Sequence, residues 1–355
     1  MPVAFLRNLC AQWFPPAAAT FTEAEVPSQQ GRVFIVTGGN SGVGFELCKI
    51  LYGTDPRQVQ ARSGSAAGAV GPNLPERQLI PSQEKAEAAI QAIVEELQSS
   101  ETPGQLKFLQ FDLNDLESVK AAAAAFSQQE SKLDVLWNNA GTGANLVEVG
   151  AKTNQGFEAM IGMHCIAPLL FTELLRPKLQ AAVASGSPGS TRVIWTSSFL
   201  AEGATPTNGI EFDKLENGTK DRTRNYAVSK AGNWFLGREY AERRGGDGTV
   251  SVVQNPGNLN SGTYGGTPKF QMMFVNPFLH EIKLGAYTGL YAGLSPDISQ
   301  EHNGAYVIPW GRIRPDESSP RKDIINALTA SEKGGLGYSK KFWDWCEEQW
   351  KPFCQ

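Results

Sequence analysis

The sequence predicts an α/β fold: a doubly wound parallel sheet with helices on both faces, in a single domain. Short β-branched runs alternate with stretches of helical periodicity from residue 32 to residue 308. The first run ends in the turn Thr37-Gly38-Gly39-Asn40-Ser41-Gly42-Val43-Gly44, and an apolar helical pattern through Phe45, Leu47, Ile50 and Leu51 follows it. Tyr226 and Lys230 sit four residues apart, which puts both on one face of a helix.

The expected elements follow in order. Residues 32–36 form a strand, and the glycine turn leads into the first helix. Residues 106–111 read as a strand and 116–126 as an Ala-rich helix. A short strand at 135–137 precedes a long helix at 157–179, interrupted by Pro168 and Pro177. Strands at 192–196 and 250–254 flank a helix from 226 to about 242. A helix at 285–294 and a strand at 305–308 complete the series. Alternation of this kind favours a parallel sheet covered on both faces.

Between the first helix and a helix starting near Ser82, a second strand is due. Residues 57–63 are a poor strand, and 64–80, rich in Gly, Ala and Pro, suit an inserted surface loop or a stretch of translated intron. Residues 1–30 form an N-terminal arm, 31–315 the domain, and 316–355 a helical tail packed on it through Phe342, Trp343, Trp345 and Trp350.

Composition narrows the class. With 355 residues, 41% hydrophobic and 19% charged, the chain affords a sizeable core. A net charge of −4 gives no reason to expect nucleic acid as a partner. The five cysteines are scattered without a C-x-x-C pair, as free thiols of a reducing, cytoplasmic compartment would be. Three histidines lie far apart, without metal-ligand spacing. No run approaches the ~18 apolar residues of a stable membrane span.

Chemistry is expected at the carboxyl ends of the strands, where a parallel sheet presents its turns and helix N-termini. Gly38 permits the tight turn, Gly42 lets the backbone approach a pyrophosphate, and Gly44 lets the helix pack close to the sheet. Asp112 ends the strand at 106–111, where it either accepts from an adenine amino group or serves as a cap or turn residue. Asn138-Asn139-Ala140-Gly141 follows the strand at 135, and Ser197-Ser198 the strand at 192; both point toward the crevice that Tyr226 reaches. There a Lys⁺ beside a phenol is expected to lower the Tyr pKa and make it a proton donor.

In this order the elements resemble the short-chain dehydrogenase/reductase family, over about residues 31–310, and its fungal members similar to retinol dehydrogenases in particular. Residues 37–44, 138–141, Ser198, Tyr226, Lys230 and Asn255-Pro256-Gly257 with Ser261 match that family's motifs, as does Tyr306-Val307-Ile308-Pro309-Trp310-Gly311 its fungal branch. The resemblance implies a Rossmann-type fold and an NAD(P)-dependent oxidoreductase acting on an apolar alcohol, aldehyde or ketone, plausibly in fungal secondary metabolism. It implies that Ser198 orients the carbonyl and Tyr226 passes the proton. Lys230 lowers the tyrosine pKa and holds the nicotinamide ribose. Cofactor contacts are implied for Gly38, Asn40, Ser41, Gly42, Val43 and Gly44, for Asp112, and for Asn139, Ala140 and Gly141. Pro256, Gly257 and Ser261 complete the set beside the nicotinamide, together with Tyr226 and Lys230. A homodimer is common in the family.

Three departures stand out. His164 occupies the place of the family's catalytic Asn, whose water supports the lysine, so it joins the catalytic candidates with its tautomer open. Arg62, at the end of the weak second strand, resembles the basic residue that prefers NADP over NAD, since a guanidinium fork suits a 2′-phosphate. The 27 residues between Ser198 and Tyr226 form a long loop expected to wall the substrate site, and Gly262 to Phe278, carrying Tyr264, Phe270, Met272, Met273 and Phe274, forms either an apolar pocket wall or lid or a stretch of core or interface. The alternative to an enzyme is a cofactor-binding pseudoenzyme or interaction protein of the same fold.

Overall fold

The structure is a computed structural model that describes residues 10–15, 18–54, 58–62, 64–65, 83–97 and 105–354. The Gly/Ala/Pro-rich stretch of residues 64–80 falls almost wholly outside them.

Nine strands are present among these residues: β1 (Val33–Thr37), β2 (Gln58–Arg62), β3 (Gly64–Ser65), β4 (Phe111–Asp112), β5 (Val135–Asn138), β6 (Arg192–Thr196), β7 (Val250–Gln254), β8 (Ala305–Ile308) and β9 (Arg312–Arg314). Seven build one sheet in the order β2-β1-β5-β6-β7-β8-β9, parallel except for the last pair. β3 and β4 form a separate two-residue parallel ladder. The two halves of the sheet run outward from β1 and β5, the strand-order reversal of a doubly wound Rossmann-like domain. Its central strands are buried throughout their length, which is why they read as unbroken apolar runs.

Helices cover both faces. On one side α1 (Gly42–Gly53) and a later helix, Ile282–Leu294, pack with Leu47, Leu51, Ala286 and Leu290 against Phe34, Val36 and Trp137. On the other lie α3 (Leu116–Gln129), α4 (Ala159–Ser185) and α5 (Arg222–Arg244), following α2 (Gln83–Glu96) in the chain. With Ile282–Leu294 as α6, the terminal helix Tyr338–Trp350 becomes α7. It buries Phe342, Trp343 and Cys346 behind α5, with the Arg243 guanidinium 5.0 Å from the Trp343 ring centre. α4 is the one helix among the described residues long and apolar enough to cross a membrane, and 83% of its apolar window is buried in the core.

Four expectations need correction. Residues 58–62 do form a strand despite their polar composition, because β1 offers a full parallel register from Val33↔Gln58 to Thr37↔Arg62. The strand expected at 106–111 shrinks to Phe111–Asp112, with only an isolated bridge at Leu106 before it. The long helix is not broken at Pro168 or Pro177. It widens into a π-turn over Gly162–Ile166, where Ala167 N–H bonds Gly162 O. This absorbs Pro168, which withholds the N–H that the His164 carbonyl would receive in a regular helix. Finally, Trp310 and Gly311 both take positive φ (57° and 81°) and turn the chain back as β9, a hairpin the sequence analysis missed.

The close fit of α6 on the sheet gives a test. The Trp137 indole donates to Gly289 O at 2.8 Å, and a Cβ built on Gly293 would lie 2.0 Å from the same ring. Gly293→Ala is expected to cost about 1–3 kcal/mol by overpacking, whereas Gly246→Ala, with open space around it, stays within about 0.5 kcal/mol of the parent. Urea unfolding of the two variants checks the contrast.

Candidate functional site

Parallel register brings four strand ends to one edge. Thr37, Asn138, Thr196 and Gln254 each end a strand, and the turns that follow them carry nearly every residue singled out above.

The first turn is built around Thr37. Its hydroxyl accepts the N–H groups of Asn139 and Ala140 at 2.9 and 2.8 Å, and its carbonyl accepts the Asn139 side-chain amide at 2.9 Å. This ties β1 to the turn after β5. Gly44 is forced: a Cβ there would lie 2.3 Å from Gly38 O and 2.7 Å from Asn139 Nδ2. Gly42 has φ +58°, yet its Cβ direction is open space. Ser41, the N-cap of α1, makes no side-chain cap bond, and no acidic residue lies in the first turn. An uncapped helix N-terminus beside a positive-φ glycine that faces open space suits a pyrophosphate, so the residues present fit a dinucleotide. Asn40, Ser41 and Val43 border that space, and none of them is fully buried.

Asp112 is half-buried, and its Oδ1 accepts from Asn114 N–H at 2.9 Å in an Asx turn. Burial raises its pKa, against the lowering effect of that bond. Asp115, not Asp112, caps α3. The backbone of Arg62 pairs with Thr37 at the carboxyl end of β2; its side chain lies outside the described residues.

The second cluster is on α5. Tyr226 and Lys230 are 7% and 4% exposed. Ser198 lies near enough to Tyr226 to lower its pKa, and the Lys230 ammonium stands 5.7 Å from the tyrosine ring centre. Lys230 Nζ donates to Thr196 O at 3.2 Å, a carbonyl it shares with the Asn233 amide at 3.0 Å. A Cβ on Gly141 would sit 3.0 Å from Lys230 Nζ and 3.2 Å from His164 Nε2, so a side chain there would crowd both groups.

The expected lowering of the tyrosine pKa is not seen. Burial pushes Tyr226 up to about 12, opposed by the nearby Ser198, and pushes Lys230 down to about 8. Desolvation disfavours both charged forms, and the ammonium is turned to a carbonyl, not to the phenol oxygen.

His164 lies on the π-turn, edge-on to the Tyr226 ring at 5.9 Å. Its Nε2 accepts Thr142 N–H at 3.0 Å, because a backbone N–H only donates. The neutral ring therefore carries its proton on Nδ1 and donates to Ser229 Oγ at 2.8 Å, and that hydroxyl donates to Tyr226 O at 2.8 Å. Burial, then the charge of Lys230, holds the His164 pKa well below its usual 6.5.

The third segment is Asn255-Pro256-Gly257. Gly257 has φ +97°, and its N–H donates to Asn255 Oδ1 at 3.1 Å. The Ser261 hydroxyl donates to that of Thr263 at 3.1 Å. Tyr264 lies near enough to Tyr226 to raise its pKa, whereas Phe270, Met273 and Phe274 are 70%, 62% and 59% exposed. The loop between Ser198 and Tyr226 lines a small cleft with Glu211, Lys214 and Leu215, against Glu158 and Ile161; neither Ser198 nor Tyr226 borders that cleft.

Several contributors went unread in the sequence. Asn233 follows Lys230 by three positions on the same helix face, a legible signal. Thr37, Ser229 and the Thr142 N–H gave none, since their roles depend on pairings 65 to 103 residues apart for Thr37 and Ser229.

His164 provides a pH test. Its folded pKa is depressed, so its neutral form contributes stability above pH 6.5 that is lost as pH falls, because the unfolded chain then takes up a proton that the folded ring refuses. The stability difference between the parent and His164→Asn should change below pH 6.5 by up to about 1.4 kcal/mol per pH unit and level off above it. Chemical unfolding from pH 5 to 8 measures this.

The short chain dehydrogenase family model matches residues 79–209. The short-chain dehydrogenase/reductase iacJ of Pestalotiopsis fici is 44% identical over 349 residues, 98% of each chain. The short-chain dehydrogenase/reductase bet4 of Neocamarosporium betae is 38% identical, covering 98% of this chain and 94% of its own. Among solved structures, an NADPH-bound carbonyl reductase from chicken fatty liver aligns with a TM-score of 0.57 at 22% identity, over 80% of this chain and 99% of its own. The chain belongs to the short-chain dehydrogenase/reductase family and is an NAD(P)-dependent oxidoreductase of CH–OH and C=O groups.

Proposed function

We propose that this protein is an NADP(H)-dependent oxidoreductase of apolar alcohols, aldehydes or ketones, with Tyr226 as the proton donor and acceptor. The observation that carries this reading is the convergence at the sheet edge of Ser198, near enough to Tyr226 to lower its pKa, and the Lys230 ammonium, 5.7 Å from the tyrosine ring. When bound, nicotinamide supplies or accepts the hydride. In the reducing direction Ser198 orients the substrate oxygen and Tyr226 gives it a proton, with Lys230 stabilising the phenolate left behind. General-acid help of this kind is worth about 10²–10⁴-fold.

The glycine turn with Asn40, Ser41 and Val43 would hold the pyrophosphate, and Asp112 the adenine. Asn139, Ala140 and Gly141 would line the cleft, with Pro256, Gly257 and Ser261 beside the nicotinamide. The place of Arg62 at the end of β2 supports NADPH. Both ring nitrogens of His164 are engaged. We therefore assign it to positioning Tyr226 and Thr142, with no part in the proton relay. Five unbonded thiols suit a cytoplasmic location.

The high pKa of Tyr226 favours one rival, a cofactor-binding protein without turnover. Fluorescence titration with NADPH and NADH, followed by turnover with a panel of apolar ketones and aldehydes, separates the two. Tyr226→Phe should lose about 10²–10⁴-fold in turnover while NADPH affinity stays unchanged. Normal turnover in that variant sinks the mechanism. Tight binding without turnover by the parent protein supports the rival, and tighter NADH binding overturns the cofactor choice.

A further inference from the structure

Residues 10–15 bind three segments that surround the site. Gln12 is 1% exposed. Its side-chain N–H donates to Glu202 Oε2 at 2.9 Å, and its Oε1 accepts from the Asn255 amide at 2.5 Å. Asn255 Oδ1 in turn accepts Gly257 N–H. Only one orientation satisfies this relay. The buried Glu202 carboxylate, paired with Arg314 at 2.7 Å and with the Ser319 hydroxyl at 2.9 Å, only accepts. It fixes the Gln12 NH₂, which fixes the Gln12 oxygen, which fixes the Asn255 amide. Glu202 lies four residues after Ser198 and Asn255 directly precedes Pro256-Gly257, so the relay spans the site.

The neighbouring residues hold the same edge. Trp13 O accepts from His280 Nε2 at 3.0 Å, and its ring meets Phe199 at 5.7 Å and Phe278 at 5.9 Å. His280 closes the base of the loop beyond Ser261 through its backbone bonds to Asn258 and Asn260. Arg312 donates to Ala11 O at 2.7 Å.

We infer that Gln12 is a positioning residue for the nicotinamide half of the cofactor site, acting through Asn255 on the Pro256-Gly257 turn. This rests on the cofactor reading above. Gln12 has no part in holding the adenosine half, which lies across β1 at the other end of the crevice.

The test compares two probes on the full-length protein: NADPH, and 2′-phospho-ADP-ribose, which lacks the nicotinamide. Gln12→Met, which keeps the volume and removes both hydrogen bonds, should weaken NADPH about tenfold (~1.4 kcal/mol) and leave 2′-phospho-ADP-ribose within twofold. Gln12→Ala provides a second variant should the first not fold. Phe342→Leu, in the α7 core remote from the relay, should lower Tm and leave both affinities unchanged. Equal weakening of both probes, or of neither, overturns the inference while the cofactor reading stands. Failure of the parent protein to bind either probe overturns both.

Discussion

The buried ammonium of Lys230 is the constraint around which the site is arranged. It lies in the core with a backbone carbonyl, Thr196 O, as its hydrogen-bond acceptor, and among the described residues no carboxylate pairs with it. Burying such a charge is costly, and the protein responds in the way physics allows: the pKa falls toward 8. Everything nearby accommodates that ion. Position 141 is glycine, and a side chain there would crowd Nζ. His164 is neutral because burial disfavours its charged form and the nearby Lys230 charge adds to that. Asn233 shares the carbonyl and fixes its direction. Tyr226 stays protonated because burial disfavours the phenolate, and the ammonium stands over its ring face.

A proton donor that is fully protonated at neutral pH is compatible with reduction, where the phenol must begin with its proton. The same burial that raises the tyrosine also strengthens any charge brought close to it, because a low-dielectric setting screens little. What would lower its pKa further is positive charge on the phenol-oxygen side, and Ser198, which lowers it, is neutral.

How much of this was legible follows from how local each signal is. β6, β7 and β8 matched their expected bounds because a strand buried on both faces writes itself as an apolar run between polar turns. β2 was undervalued because its stability comes from pairing with β1, which its own residues do not announce. The reach of 106–111 was overestimated since, apart from an isolated bridge at Leu106, it finds a strand partner only at Phe111. Site residues on one helix, Tyr226, Lys230 and Asn233, or in one turn, Gly38 to Gly44, could be read from spacing. The tyrosine pKa could not, because desolvation is a property of the finished core. Nor could the tautomer of His164, which is set by an N–H from one turn and a hydroxyl from another helix.

The N-terminal arm belongs with those non-local features. In the sequence, Gln12 is a polar residue between Ala11 and Trp13, without periodicity or motif. In the fold it is among the most buried side chains, and both ends of its amide are used. Forming such bonds gains little net free energy, whereas losing either partner leaves a buried amide group to pay its full desolvation cost. That asymmetry makes the relay rigid, and a rigid link between the turn after Ser198 and the turn at Pro256 fixes the width of the crevice between them. The catalytic helix supplies the groups that react. The arm, some two hundred residues away in the chain, sets how closely the opposite wall approaches them.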